Sequence, residues 1–219
     1  MKPVQIYLFI YNAVQVVGWG FVLVKTANGL IHGKSYEQLY DAVKCELEIF
    51  QTAALLEIVH AALGFVRSPI STTVMQVFSR VMLVWPVLYK VESARSSIGV
   101  PMLLVCWSVT EVIRYSYYAF GIIGWTPYIL TWMRYTFFIV LYPLGASGEV
   151  FAAWAALPEV AAKKHFTIEM PNAANISFSY YIFLIIFCFV YLPGFPKMYL
   201  HMFTQRKKVL GTNAAKKKE

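Results

Sequence analysis

From Pro3 to Val24 the chain runs 22 residues without a charged side chain, and from Met170 to Pro196 it runs another 27. About 20 mostly apolar residues in a helix cross the hydrocarbon core of a bilayer. Inside that core every backbone polar group must find its partner within the protein, so such tracts read as spanning helices. The first tract is longer than the apolar region of a signal peptide, and no A-x-A-like cleavage site follows before Lys25, so it is expected to be retained. Composition agrees. Hydrophobic residues make up 59% of the 219 and charged residues only 14%, against roughly 25% charged in soluble domains. A soluble enzyme and a disordered chain are both excluded.

Between the two tracts single charges interrupt the apolar sequence. If they lie inside a bundle, helices are expected near 4–24, 48–66, 70–90, 98–120, 127–155 and 175–200. The expected fold is an all-α integral membrane protein, a bundle of about six transmembrane helices enclosing a polar active-site cavity. Residues 25–47 form the first soluble loop, Arg67-Ser68-Pro69 a tight turn, Gly121 to Pro127 the fourth connection and 157–173 the fifth. Without an internal repeat, residues 1–205 read as one membrane domain and 206–219 as a basic tail. Of the 19 basic residues behind the net charge of +8, seven follow position 196. That cluster favours a cytosolic C-terminus over nucleic-acid binding, and an even number of spans then places Met1 on the same side. Lys163 and Lys164 fall on the opposite side and do not support this orientation. Lys216-Lys217-Lys218-Glu219 looks like a dilysine retrieval signal of endoplasmic-reticulum membrane proteins. The sequon Asn175-Ile176-Ser177 sits against an expected helix start and reads as unmodified. Cys45, Cys106 and Cys188 lack paired spacing and read as small buried hydrophobes.

An ionisable side chain in hydrocarbon costs about 2.5–3.5 kcal/mol on insertion scales, so each needs a partner, a wet cavity or a function. Glu57, His60, Arg80, Glu111, Arg114, Arg134 and Glu149 all fall in the expected spans. Glu111 and Arg114, three apart, can neutralise each other. Glu57 and His60 have the Glu-x-x-His spacing of di-iron bundles, but a second such pair is missing, so no metal is expected. Tyr142 and Glu149, seven apart, turn through about 700° and share a helix face with about 10 Å of rise between them. Pro143, Gly145 and Gly148 between and beside them favour a kink, a close approach or an unwound turn. A phenol and a carboxyl facing one space suit general acid–base chemistry. An interfacial tyrosine and a snorkelling glutamate on a tightly packed helix fit the same residues equally well.

Taken together, Leu56-Glu57-Ile58-Val59-His60, Gln76 with Ser79-Arg80 and Trp85, Trp107-Ser108 with Glu111 and Arg114-Tyr115, and Trp132, Arg134-Tyr135 and Leu141-Tyr142-Pro143 with Gly145 and Glu149 resemble one family. It is the 3-hydroxyacyl-CoA dehydratases of very-long-chain fatty acid elongation, once called protein tyrosine phosphatase-like proteins. The resemblance implies a six-span protein of the endoplasmic reticulum that removes water from a (3R)-3-hydroxyacyl-CoA to give the trans-2-enoyl-CoA, without cofactor or metal. It implies other elongation enzymes as partners. It places the catalytic pair on Tyr142 and Glu149, with Arg134, Gly145 and Arg80 in supporting roles. In one assignment Tyr142, beside a cation such as Arg134, takes the C2 proton while a protonated Glu149 assists the leaving hydroxyl; the reverse satisfies the same chemistry. The acyl chain is expected in an apolar channel and the CoA phosphates near cations at the cytosolic mouth.

A cysteine phosphatase needs a thiolate six residues before an arginine. His60 to Arg67 keeps that outline with Ala61 in the nucleophile's place, and Gln51, Val112 and Gly194 stand six after the three cysteines. Phosphatase chemistry is therefore not expected. The rival readings are a catalytically inactive relative acting as a membrane scaffold, or a small-solute transporter with intramembrane charges along its path.

Overall fold

The computed structural model describes residues 1–216, with side chains through Gly211. Among the described residues the chain is helical apart from turns, loops and one isolated bridge between Ile168 and Phe178. Helix α1 spans Pro3–Ile31, α2 Tyr36–Ala53, α3 Leu55–Ala62, α4 Ile70–Met82 with a π-helical continuation Leu83–Tyr89, α5 Glu92–Arg95, α6 Gly99–Ile123, α7 Tyr128–Arg134, α8 Phe138–Lys163 and α9 Tyr180–Lys216.

Local chemistry explains most of the ends. Pro3 occupies the first turn of α1, where its missing N–H costs nothing. Ser35 caps α2 in a reciprocal box with Gln38. Gly124, at φ +85°, closes α6 in the left-handed conformation that glycine tolerates. The wide turn of α4 surrounds Pro86, which has no N–H and whose ring crowds the carbonyl four residues back; a π-helical turn makes room for it.

Several expectations need correction. The first soluble loop is mostly helix, because α1 runs to Ile31 and α2 begins at Tyr36. Its charges lie on surface faces, where Lys25 pairs with Glu46 at 2.5 Å. The helix expected at 48–66 is split at Ala54 into the end of α2 and the short α3. The helix expected at 127–155 is broken at 135–137 and then runs on to Lys163, so part of the fifth connection is helical too. Asn175 lies in the loop before α9, at φ +51°, and not at a helix start. Helix α9 continues through position 206, while Lys217, Lys218 and Glu219 of the dilysine-type end lie outside the described residues.

Among the described residues four helices are long and apolar enough to cross a membrane: Pro3–Ile31, Ile70–Tyr89, Phe138–Lys163 and Tyr180–Gly211. The region of the expected second span is broken at Ala54, and α6 carries Glu111 and Arg114 in its middle, so neither is among these four.

Helix α6 is nevertheless the centre of the packing. It lies against α1 and α8, touches α2 and α7, and α9 packs against α8. Trp107 and Tyr115 of α6 are buried with Trp19 and Val22 of α1, Leu39, Tyr40, Val43 and Leu47 of α2, and Ala152, Ala153 and Ala156 of α8. The alanines let α8 approach closely. At the crossing a Cβ on Gly99 would lie 2.4 Å from the Gly148 carbonyl oxygen, and one on Gly148 would lie 2.9 Å from the Met102 Cβ.

Candidate active site

Tyr142 and Glu149 both lie on α8, and the helix is unbroken between them. The unwound turn that Pro143, Gly145 and Gly148 could have produced is absent, so the separation along the axis stays at about 10 Å. Pro143 does leave the Ile139 carbonyl, four residues back, without its helical donor. Tyr199 of α9 fills that place, its hydroxyl donating to the Ile139 oxygen at 2.9 Å. The proline's cost to one helix thus becomes a tie to the next.

The same face of α9 builds the surroundings of the pair. Tyr142 stacks on Phe195 at 5.2 Å and lies nearly parallel to Tyr199 at 6.1 Å. Its hydroxyl points at the thioether sulfur of Met198, 3.4 Å away and a weak acceptor. Glu149 is held differently. Trp107 of α6 donates its indole N–H to Oε1 at 2.8 Å, and the Tyr191 hydroxyl of α9 donates to Oε2. Both carboxyl oxygens are therefore gripped by donors from two neighbouring helices. Gly145 lies between the two positions, its missing Cβ 3.3 Å from the Cβ of Cys106, which lets α6 lie close against this stretch.

The remaining charges form a ladder across three helices. Arg80 of α4 pairs with Glu111 of α6, and Glu111 also accepts from Arg114 Nε at 2.7 Å. Arg114 binds Glu57 of α3 through both terminal nitrogens, at 2.7 and 2.8 Å, and the Tyr115 hydroxyl donates to the same carboxylate. The expected pairing of Glu111 with Arg114 is present, but as the middle rung of a larger array. Arg80 is its end nearest the candidate pair: the guanidinium lies over the Trp107 ring, 5.4 Å from the centroid, on the same indole that binds Glu149. Two arginines and two glutamates balance, which is how the buried Glu111 and three partly buried charges can share one polar layer.

Arg134 is placed elsewhere. At the end of α7 it sits over the rings of Tyr117 and Tyr118, 4.6 and 4.7 Å from their centroids, and donates to the Tyr118 hydroxyl at 3.1 Å. None of its described contacts is with Tyr142 or Glu149, whereas Arg80 shares the Trp107 indole with Glu149. Arg134 Nη1 is buried without a hydrogen-bond partner among the described residues. His60 turns from Glu57 and hydrogen-bonds the Tyr7 hydroxyl at 2.9 Å. Among the described residues no three His, Cys, Asp or Glu side chains gather as a metal ion would need.

Tyr191, Phe195, Met198 and Tyr199 escaped the sequence reading. Their spacing of four, three and one residues places them along one helix face, but in an apolar tract such a stripe has the form of ordinary packing. Their importance comes from the helix they face.

The model of the family described as "Protein tyrosine phosphatase-like protein, PTPLA" matches residues 51–212, which include every residue of the constellation described above except Tyr7. The very-long-chain (3R)-3-hydroxyacyl-CoA dehydratase hpo-8 of Caenorhabditis elegans is 55% identical over 215 residues, 98% of this chain and 99% of its own length. The human very-long-chain (3R)-3-hydroxyacyl-CoA dehydratase 2 is 44% identical over 212 residues, 97% of this chain and 84% of its own. PASTICCINO 2 of Arabidopsis thaliana, named as the same kind of dehydratase, is 40% identical over 207 residues, covering 94% and 93%. No solved structure matches the chain. With similarity along nearly its whole length to relatives from animals and a plant, the chain belongs to the protein tyrosine phosphatase-like, PTPLA, family.

Proposed function

We propose that this chain is a very-long-chain (3R)-3-hydroxyacyl-CoA dehydratase, a hydro-lyase that forms the trans-2-enoyl-CoA in fatty acid elongation. The observation that carries the reading is the disposition of Tyr142 and Glu149 on one face of α8, within a chain so similar to proteins named for that activity. The elimination is redox-neutral and needs one group to take the C2 proton and another to supply a proton to the departing C3 hydroxyl.

The contacts favour Glu149 as the base and Tyr142 as the acid. An indole N–H can only donate, so Glu149 Oε1 is kept as an acceptor, and a carboxylate has lone pairs left after both hydrogen bonds. Tyr142 keeps its hydroxyl hydrogen toward a thioether and has no charged group in hydrogen-bond contact among the described residues. In the step, Glu149 removes the C2 proton, the C2–H electron pair becomes the C2–C3 π bond, the C3–O bond breaks, and the oxygen leaves as water with the Tyr142 proton. Glu149 then gives up its proton and the Tyr142 phenolate regains one by exchange with water, restoring both groups.

In the same reading the chain crosses the endoplasmic-reticulum membrane six times with both termini cytosolic. The α2–α3 pair and α6 are the two less apolar spans, and the charge ladder and the catalytic pair line a polar cavity between helices. Arg80 and Gly145 support that cavity directly, whereas Arg134 stands toward the end where the CoA moiety would enter. The acyl chain lies among the aromatic and aliphatic side chains of the bundle.

The test is dehydration of a long-chain (3R)-3-hydroxyacyl-CoA by the purified chain in detergent, followed by enoyl-CoA formation. Glu149→Gln and Tyr142→Phe are each expected to lower kcat about a hundredfold or more, the range of a lost general acid or base. Near-normal turnover in either removes that residue from the mechanism. An inactive wild-type chain that still reaches the membrane favours the scaffold reading instead.

A further inference from the structure

Glu149 can act only if its carboxyl faces the substrate, yet three side-chain torsions separate that carboxyl from the backbone. Packing along its own helix does little to hold it: the residue is only partly buried, and its neighbours three and four residues away on α8 are Gly145, Ala146, Ala152 and Ala153, none with more than a methyl group to flank it. Its orientation is set by two hydrogen bonds from other helices, one to each oxygen. The Trp107 indole is buried against the Arg80 guanidinium, so that donor is fixed by the α6 core. The other donor belongs to α9, a helix that meets the remaining bundle mainly through α8.

From these contacts we infer that Tyr191 is a positioning residue of the reaction. Its hydroxyl holds Glu149 Oε2 and, with Trp107, fixes the plane and direction of the carboxyl that takes the C2 proton. The two donors are not equivalent. The indole can only donate, whereas a phenol hydroxyl can donate to the carboxylate and accept from the carboxylic acid once the proton has arrived. Tyr191 therefore keeps its contact through both states, and the carboxyl does not swing away between turnovers. The ring of Tyr191 rests edge-on against Phe187 at 5.3 Å, which holds the hydroxyl at its station. Register makes the arrangement specific: Tyr191 faces Glu149 while Phe195 and Tyr199, one and two turns on, face Tyr142, so one face of α9 serves both members of the pair. The inference rests on the dehydratase reading and adds a residue to it that touches no substrate.

The experiment compares the full-length purified chain with Tyr191→Phe, Tyr191→Gln, Tyr191→Leu and, in parallel, Glu149→Gln, using a long-chain (3R)-3-hydroxyacyl-CoA. Tyr191→Phe keeps the ring on Phe187 and removes only the donor. It is expected to lower kcat about ten- to a hundredfold, the scale of a lost hydrogen bond to a charged group, with KM changed less than about twofold and thermal stability retained. An unchanged kcat, or a loss that appears in KM instead, overturns the proposal. If Tyr191→Phe accumulates poorly, the Gln and Leu variants decide, since both lack the ring and only Gln restores an N–H donor. Faster turnover by Gln than by Leu supports the proposal, and equal rates overturn it. Near-normal turnover by Glu149→Gln defeats the dehydratase mechanism itself, whereas an inactive Glu149→Gln beside a fully active Tyr191→Phe defeats the role of Tyr191 alone.

Discussion

Two glycines of α8 separate packing from chemistry at the scale of single residues. Gly148 meets α6 backbone: a Cβ there would lie 3.0 Å from the Gly99 carbonyl oxygen and from the Leu103 nitrogen. Backbone cannot swing aside as a side chain can, so Gly148→Ala is expected to cost about 1–3 kcal/mol, the range of an overpacked core. A lower thermal midpoint in detergent and reduced accumulation in membranes would report it. At Gly145 the added methyl would meet only the Cβ of Cys106, at 3.3 Å, so a shift of a few tenths of an ångström accommodates it. Gly145→Ala is expected to retain most of its stability but to lose activity, because the displaced stretch lies between Tyr142 and Glu149. Equal losses in thermal midpoint for the two variants would contradict this distinction. Spacing made the Tyr142–Glu149 pair legible in the sequence, since seven residues return a helix to the same face. The donors on Glu149 were not legible. Nothing in an apolar stretch distinguishes Tyr191 from the other aromatic residues of α9, because its role depends on which side chain stands opposite.

At the scale of elements, Pro143 and Tyr199 form one device across two helices. The proline removes a donor from α8, and the Tyr199 hydroxyl supplies it from α9. Tyr199→Phe preserves the stacked rings but leaves the Ile139 carbonyl unsatisfied. The expected cost is about 1 kcal/mol, or about 2–4 °C in thermal midpoint for a chain of this length. A Pro143→Ala change in the same background should recover part of that loss by restoring the helical N–H; no recovery would sever the link between the two residues. Helix ends were legible wherever a side chain or a glycine makes them, as at Ser35 and Gly124. The breaks at Ala54 and at 135–137 contain neither proline nor glycine, so no local preference announces them. They arise where short helices turn to meet the surfaces of others.

Across the whole molecule, the charge ladder links α3, α4 and α6 into one unit. Removing Arg114 would leave Glu57 without its counter-ion and Glu111 with Arg80 alone. Breaking such a buried array typically costs about 3–5 kcal/mol, so Arg114→Met should fail to accumulate or should unfold at much lower temperature. A double change of Arg114→Met with Glu57→Leu, which removes one charge of each sign, should be less damaging than the single change. A double variant as unstable as the single one would show that the pair does not act together. The sequence by itself determined that this chain is built of membrane helices, that its interior holds ionisable groups, and that Tyr142 and Glu149 share a face. Those properties follow from composition and helical period, which are local. Tertiary structure alone decided that Arg114 serves two carboxylates, that Arg80 rather than Arg134 approaches the candidate pair, and that α9 supplies a hydroxyl to Glu149. Each of these depends on which helix lies beside which, and that choice is made by the fit of small residues such as Gly99 and Gly148 at the crossings. No single stretch of sequence contains both sides of such a contact.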